Sequence, residues 1–162
     1  MDPTKDPGIQ IAKMFVDTCV FGHQPDSLKL PENAAPKITG FDTEVFLKDM
    51  GDRGICQVVL TTHPGSTYEL KLGMTALVRV IPGQENMTIR EYLASGNCMA
   101  ALFPFLREAI ANVTGRGRFG PVFLDPINIR EFAKQIQSQS WEPIAPPPSS
   151  ATAPPLPRRA AS

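Results

Sequence analysis

Hydrophobic and polar residues alternate without interruption over residues 68–81. A period of two predicts a long β-strand, because successive side chains of a strand point to opposite faces of a sheet. Segments 9–21, 41–50 and 55–62 have the apolar and β-branched character of further strands, which brings the predicted strands to four. The connections between the last three strands are short, and short connections favour antiparallel neighbours.

The first of these segments differs from the others because its apolar residues fall on both faces. Ile9, Ile11 and Phe15 would lie on one face of a regular strand, and Met14 and Val16 on the other. We interpret this pattern as a strand that is covered on both sides, on one side by a second subunit.

The hydrophobic period changes in the second half of the chain. Residues 88–91 form a capping box, and apolar residues then recur with helical spacing over 89–113. Gly96 and Pro104 lie within that helix and should bend or break it. A second, short helix is predicted over 128–137. Strands followed by helices define an α+β protein, here a four-stranded antiparallel sheet followed by one long broken helix and one short C-terminal helix.

We expect one folded domain, residues 9–140, between two disordered ends. Residues 1–8 are polar, and residues 141–162 consist mainly of proline, alanine and serine. Such a tail cannot bury enough apolar surface to order itself.

Charge and cysteine usage narrow the setting of the protein. The 16 basic and 16 acidic residues balance, which gives no reason to expect nucleic acid as a partner. The polar N-terminus lacks the apolar core of a signal peptide, and the longest apolar run, 98–106, is far shorter than the about 20 residues of a membrane helix. Cys19, Cys56 and Cys98 are interpreted as small buried hydrophobic residues in a reducing cytosol. We therefore expect a cytoplasmic protein that does not insert into membranes.

Patterns typical of enzymes are missing from the sequence. His23 and His63 are far apart and no Cys-x-x-Cys pair accompanies them, so no metal site is predicted. Residues 115–120 have the glycine spacing of a dinucleotide loop, but they follow a predicted helix, and Pro121 comes directly after. Arg116 and Arg118 are interpreted as exposed residues of a flexible loop. We predict a protein without a cofactor and without catalysis, whose surplus of large apolar residues serves binding.

Three segments of the second half follow one another in a specific order and spacing. They are Leu-Phe-Pro-Phe-Leu-Arg-Glu-Ala-Ile at 102–110, Gly-Arg-Phe-Gly-Pro at 117–121 and Leu-Asp-Pro-Ile-Asn at 124–128. This half of the chain resembles SecB, the bacterial export chaperone. Residues 9–21 are similar to the family in pattern, the middle strands match only in periodicity, and the tail from Trp141 does not match.

The resemblance implies a homotetramer, assembled as a dimer of dimers. It also implies a holdase that binds unfolded precursor proteins without ATP and keeps them translocation-competent for delivery to the SecA motor. A client-binding groove would lie between the early strand, the crossover loop and the last helix. The residues that the resemblance assigns to it are Phe15, Ile38, Phe41, Phe105, Ile129 and Phe132. This sequence lacks the tryptophan that well-known members carry in the crossover loop.

The resemblance also implies a docking face for the motor. In well-known members an acidic face of the sheet receives the basic, zinc-binding tail of SecA. Alignment places such acidic positions on Thr18, Gly22 and Leu72, none of which is acidic here. The nearby carboxylates are those of Asp17, Asp42 and Glu44. We therefore predict that docking to the zinc tail is weak and nearly insensitive to salt.

Two other functions fit the same sequence. A SecB-like chaperone can serve a client outside export, such as the antitoxin of a toxin–antitoxin pair. Alternatively, the protein is an adaptor without chaperone activity, because residues 154–159 have the shape of a polyproline ligand for an aromatic groove. Deletion of residues 142–162 separates the adaptor from the chaperone, since a holdase would keep its function.

Overall fold

The computed structural model describes residues 7–125, which form an antiparallel sheet followed by two helices. The elements are β1 (Ile9–His23), a 3-10 helix (Pro25–Lys29), β2 (Phe41–Asp49), β3 (Arg53–Thr62), β4 (Tyr68–Val80), α1 (Ile89–Ala94) and α2 (Asn97–Thr114). The predicted α+β order, with four strands before a broken helix, is confirmed. The short helix predicted over 128–137 lies outside the described residues, as do most of the two predicted disordered ends.

The strands are arranged in the order β1-β4-β3-β2, so that β1 and β2 are the edges of the sheet. Tight turns join β2 to β3 and β3 to β4, whereas residues 24–40 carry the chain from β1 across to the opposite edge. We call this stretch the crossover segment. This segment leads directly into β2, which within the described sheet pairs with one strand, β3.

The alternation of β4 divides the sheet into two faces. Leu70, Leu72 and Met74 are buried together with Ala76 and Val78, on what we call the covered face, against which the helices pack. Lys71, Gly73, Thr75, Leu77 and Arg79 point the other way, onto what we call the open face.

Strand β1 is less regular than β4. Its pairing with β4 shifts between Ile11 and Lys13 and again between Val16 and Thr18. Each irregularity changes which residues face the helices, because the side chains of a strand alternate with a strict period of two. The bulges therefore account for part of the two-sided apolar pattern of residues 9–21. Phe15 and Val20, on the open face, and Val16, on the covered face, are exposed.

The helical region begins at the predicted capping box. The Thr88 hydroxyl accepts from the Glu91 backbone N–H at 3.2 Å, and the Glu91 carboxylate accepts from the Thr88 N–H at 2.9 Å. These bonds hold the pKa of the Glu91 carboxyl below its usual value. The helix breaks at Gly96, whose φ of 79° is left-handed, but it continues through Pro104. Of the two positions at which the sequence predicts a bend or a break, the break thus lies at Gly96, and α2 includes Pro104.

Helix α2 supplies most of the contacts between the helices and the covered face. Leu102, Leu106 and Ile110 are fully buried on one stripe of the helix. Near its first turn Cys98 lies against Cys56 of β3, and this contact together with burial raises the pKa of the Cys56 thiol. None of the helices within residues 7–125 is long and apolar enough to cross a membrane.

Candidate client-binding groove

A groove of about 770 Å³ opens on the covered face beside the edge strand β2. Its floor is formed by β2 and β3, one wall by the crossover segment, and the other by the start of α2 and the segment after it. The apolar lining residues are Pro36, Ile38, Phe41, Val45, Val58, Leu60, Met99, Phe103, Pro121, Val122, Phe123 and Leu124. Its volume lies within the range of about 300–1,000 Å³ that is usual for ligand sites.

The register of the sheet explains the floor. Val45 pairs with Val58, and Phe41 and Thr43 pair with Thr62 and Leu60, so these side chains share the covered face. Because β2 is an edge strand, this part of the covered face lies at the margin of the sheet. Val45 and Phe41 consequently remain only half-buried.

Polar bonds to the turn between β3 and β4 fix the crossover segment. The Lys37 N–H donates to the Thr67 hydroxyl at 2.8 Å, and the Thr67 N–H donates back to the Lys37 carbonyl at 2.7 Å. The Gly40 carbonyl accepts from the His63 N–H at 2.9 Å. These contacts hold Ile38 and the start of β2 as a preformed wall of the groove.

The opposite wall depends on two buried hydroxyl groups. The Tyr68 hydroxyl donates to the Gly120 carbonyl and accepts from the Phe119 N–H, both at 2.9 Å. The Thr114 hydroxyl accepts from the Val122 N–H at 2.8 Å while it donates to the Ile110 carbonyl at 2.7 Å. Burial raises the pKa of Tyr68. Together these bonds set the direction in which the chain leaves α2 and enters the groove wall.

Arg118 adds a third restraint, which corrects the interpretation of its loop as flexible. Its guanidinium donates to the carbonyl groups of Leu28 and Leu30, at 3.1 and 3.2 Å. Its backbone N–H donates to Nε2 of His23 at 3.2 Å. The neighbouring Gly117 must be glycine, because a Cβ there would lie 2.6 Å from the Tyr68 ring. These hydrogen bonds therefore connect the loop after α2 to the crossover segment and to the end of β1.

The structure brings together only part of the groove that was predicted from the sequence. Ile38 and Phe41 line it. Phe15 does not, because it pairs with Thr75 on the open face. Phe105 is 46% exposed and lies on another side of α2 from the lining residue Phe103. Phe15 and Phe105 therefore lie away from this groove, Ile129 and Phe132 lie outside the described residues, and all six assignments to client binding stay predictions.

Most of the lining residues were missed from the sequence, among them two on α2 and two in the segment after it. Met99 and Phe103 are four positions apart on α2 and so share one helix face, a spacing that was visible in the sequence. Phe123 and Leu124 belong to or adjoin the quoted motif at 124–128, but nothing in the sequence indicated that they face the crossover segment. Phe123 is 73% exposed, which makes it the most accessible large apolar residue of the groove.

The predicted docking positions for the motor fall on different faces. Asp17, Thr18 and Gly22 lie on the open face, where the Asp17 carboxylate accepts from Nε2 of Gln57 at 2.5 Å and from the Thr75 hydroxyl. Leu72, in contrast, is completely buried on the covered face. A shift of one residue in the alignment moves a side chain to the other face of a strand, and Leu72 does not share a surface with Thr18 and Gly22. Its neighbours on the open face, Lys71 and Gly73, are not acidic either.

The groove is suited to holding apolar polypeptide. Most of its lining side chains are apolar, Thr39, Gly40 and Thr43 add polar surface, and Asp125 is its one titratable lining residue within the described chain. It offers no group of three metal ligands, and none is found elsewhere in residues 7–125. This α+β fold therefore presents an apolar groove at a sheet edge, and a site of this shape can accept an extended polypeptide segment.

Comparison with known proteins identifies the family. The model of the SecB family, described as preprotein translocase subunit SecB, matches residues 3–140. The chain belongs to the SecB family, whose members are chaperones that bind unfolded polypeptides and act in protein export.

Individual relatives agree with this assignment. The chain is 30% identical over 138 residues to the protein-export protein SecB of Acidithiobacillus ferrooxidans, covering 80% of this chain and 89% of that protein. It is also 30% identical over 103 residues to SecB of Nitrosospira multiformis, covering 59% and 62%. Among solved structures, it is similar to a SecB-like chaperone of Mycobacterium tuberculosis in complex with a peptide from the HigA1 antitoxin. That similarity has a TM-score of 0.54 and 18% identity, over 74% of this chain and 91% of the other.

Proposed function

We propose that this protein is an ATP-independent holdase that binds unfolded precursor proteins in the cytoplasm and keeps them competent for translocation. The observation that carries the proposal is the preformed apolar groove beside β2, whose lining includes the exposed Phe123. Such a groove accepts any extended segment rich in apolar side chains, because hydrophobic burial is non-directional.

The energetics of such binding need no nucleotide. Each client side chain of valine or leucine size that leaves water contributes about 1.5–3 kcal/mol, before the entropy cost of ordering the segment. A few side chains in a groove of this size therefore give binding that is reversible. Association at about 10⁵–10⁷ M⁻¹s⁻¹ competes with domains that fold in milliseconds to seconds. Slowly folding clients would be held and rapidly folding ones would escape.

The edge strand β1 supports a homotetrameric assembly, as a dimer of dimers. It presents unpaired backbone along its outer side within the described sheet, and its exposed apolar residues include Val16 and Val20. A long edge of this kind is a template for pairing with another chain unless something covers it. A second copy, paired through a closed symmetric interface, would provide that cover.

Delivery to the SecA motor is the weakest contact that we propose. The strands carry Asp17, Asp42, Glu44 and Glu69 on the open face, but Asp17 already accepts two hydrogen bonds from neighbouring side chains and Asp42 lies 2.9 Å from Nε2 of His63. Lys71 lies on the same face. A basic zinc tail would therefore meet Glu44 and Glu69 there, close to the like-charged Lys71. Weak docking to the motor also favours the second candidate function, in which the protein is a chaperone of a client outside export such as an antitoxin.

The decisive experiment is an aggregation assay with an unfolded precursor and no nucleotide. Phe123→Asp places a charge in the apolar groove, where it must lose hydration without a partner, and should weaken holding about tenfold. Leu28→Asp is the matched control, since Leu28 is an exposed apolar residue of the 3-10 helix that does not line the groove. Equal holding by both variants and the wild type would reject the groove.

A second measurement separates the two candidate functions. Titration with the isolated zinc tail of SecA should show weak binding that hardly depends on salt. Tight, salt-sensitive binding would favour export and would mean that acidic residues other than the aligned positions bind the zinc tail. Absence of binding, combined with intact holding of the precursor, would favour a client outside export.

A further inference from the structure

The open face of the sheet carries a group of basic residues at one end. Arg53 of β3 and Arg79 of β4 are directly opposite each other. In the next row of the same face Lys13 pairs with Leu77, and Ile55 pairs with both Leu77 and Lys48. We call Lys13, Lys48, Arg53 and Arg79 the basic end.

Among residues 7–125, the partners of the two arginines do not neutralise their charge. Arg53 Nε lies 3.6 Å from Asp52 Oδ2, but the two side chains are 72% and 77% exposed, and such a pair is strongly screened by water. The Gln10 amide oxygen accepts from the Arg79 guanidinium and is itself uncharged. Like charges that face each other across two strands destabilise a sheet. An anionic partner would relieve that repulsion.

Apolar side chains adjoin the basic end on the same face. Phe15 pairs with Thr75 and is 38% exposed, and Phe46 pairs with Gln57 and is 41% exposed. Between them and the arginines lie the half-buried Ile55 and Leu77. Arginine and aromatic residues in one patch are the residue types that dominate the binding energy of protein interfaces.

The rest of the open face limits the length of an anionic partner. The Asp17 carboxylate lies beside Gln57, four residues along β3 from Arg53, and Glu44 pairs with Val59 one row further. At about 3.4 Å per residue, Asp17 is only about 14 Å from the arginines along the strand. A nucleic acid that extended across the face would meet these carboxylates. A short acidic segment, with apolar residues beside its acids, would not.

A second copy of the chain fits less well. Two open faces stacked about a two-fold axis through their centres would bring the two Asp17 carboxylates towards each other in a desolvated interface. Burial of like charges without a cationic partner is strongly unfavourable.

We propose that the open face binds an acidic polypeptide segment, with its carboxylates on Arg53 and Arg79 and its apolar side chains on Phe15 and Phe46. This surface is separate from the groove, which lies on the covered face, and does not depend on the holdase function. A client or partner protein could use it while the groove is occupied.

Fluorescence anisotropy of the full chain with two labelled peptides tests the proposal. One peptide, of about ten residues, contains glutamates and two phenylalanines, and the other has lysine at each glutamate. The wild type should bind the acidic peptide about tenfold more tightly than the basic one at about 0.1 M salt, where the screening length is about 10 Å. This preference should fall severalfold at higher salt and disappear in the double variant Arg53→Glu, Arg79→Glu.

The control is Arg116→Glu, a charge reversal at an exposed position in the loop after α2. It should keep the preference, and both variants should hold the unfolded precursor as the wild type does. A preference that survives the double variant, or that Arg116→Glu removes equally, overturns the proposal. Tighter binding of a duplex of about 20 base pairs, lost in the double variant, would instead assign the face to nucleic acid. A concentration-dependent rise in mass that the double variant abolishes would assign it to a second copy.

Discussion

The two faces of the sheet are built from the same four strands but present different surfaces. On the covered face the strands bury Leu70, Leu72 and Met74 against the helices and leave an apolar groove at the β2 edge. On the open face they carry basic residues at one end, exposed phenylalanines in the middle and carboxylates further along. The comparison shows that one sheet can carry two recognition surfaces, since alternation places adjacent residues on opposite sides. In the functions that we propose, the first surface would select for hydrophobicity and the second for charge.

The largest change in stability should come from comparing two adjacent residues of β4 that lie on opposite faces of the sheet. Leu72→Ala removes a fully buried side chain from the covered face and should lower the free energy of unfolding by about 2–5 kcal/mol. Lys71→Ala, one residue earlier and on the open face, should change it by no more than about 0.5 kcal/mol. Urea unfolding at one fixed protein concentration measures both. Similar small values for the two variants would return Leu72 to the exposed face and to the motor-docking positions.

The next effect concerns the wall of the groove. Tyr68→Phe removes the hydroxyl that bonds the Phe119 N–H and the Gly120 carbonyl, which leaves two partly or fully buried groups without that partner. We expect a loss of about 1–3 kcal/mol in unfolding free energy and weaker holding of the precursor. Tyr92→Phe is the control, because Tyr92 belongs to α1 and does not line the groove. Unchanged holding by Tyr68→Phe would show that the loop does not position the groove.

The same variant has a pH signature. Burial raises the pKa of Tyr68 above its ordinary value of 10.0, so that folding favours the neutral hydroxyl. The stabilising contribution is fully present below about pH 10 and is lost as the pH rises through the raised value. The difference in stability between the wild type and Tyr68→Phe should therefore narrow at high pH. A difference that stays constant from neutral to strongly alkaline pH would contradict the role assigned to the hydroxyl.

The sequence predicts the covered face better than the groove or the open face. The alternation of β4 and the capping box at Thr88 are local signals, and both elements form where these signals lie. The bulges of β1 depend on its pairing with β4, which is distant in sequence, and no local period reveals them. The first bulge places Phe15 on the face opposite Ile11, whereas Leu72 lies on the regular strand β4 and its assignment depended on the alignment alone.

The groove eluded prediction for a related reason. Its walls come from the crossover segment, from α2 and from residues 121–125. Hydrogen bonds between residues distant in sequence, such as Arg118 and Leu28, hold these segments together. Motif resemblance found Ile38 and Phe41 but gave no means of choosing between Phe103 and Phe105. Helical geometry decides that choice, since the two residues lie on different sides of α2.

The smallest expected change in stability tests whether the repulsion between Arg53 and Arg79 of the basic end destabilises the fold. Arg53→Thr removes one member of the like-charged pair with Arg79 and introduces a residue that favours strands, so the free energy of unfolding should rise by about 0.2–1 kcal/mol. Arg53→Lys keeps the charge and should show no such gain. Because the repulsion lies at the surface, the gain should be largest at low salt and shrink as salt is added. Thermal unfolding of the three proteins at two salt concentrations measures it. If Arg53→Thr is instead less stable than both, the two arginines do not repel each other in the fold. If it is more stable and also binds the acidic peptide less tightly, the same pair of charges weakens the sheet and serves recognition on its open face.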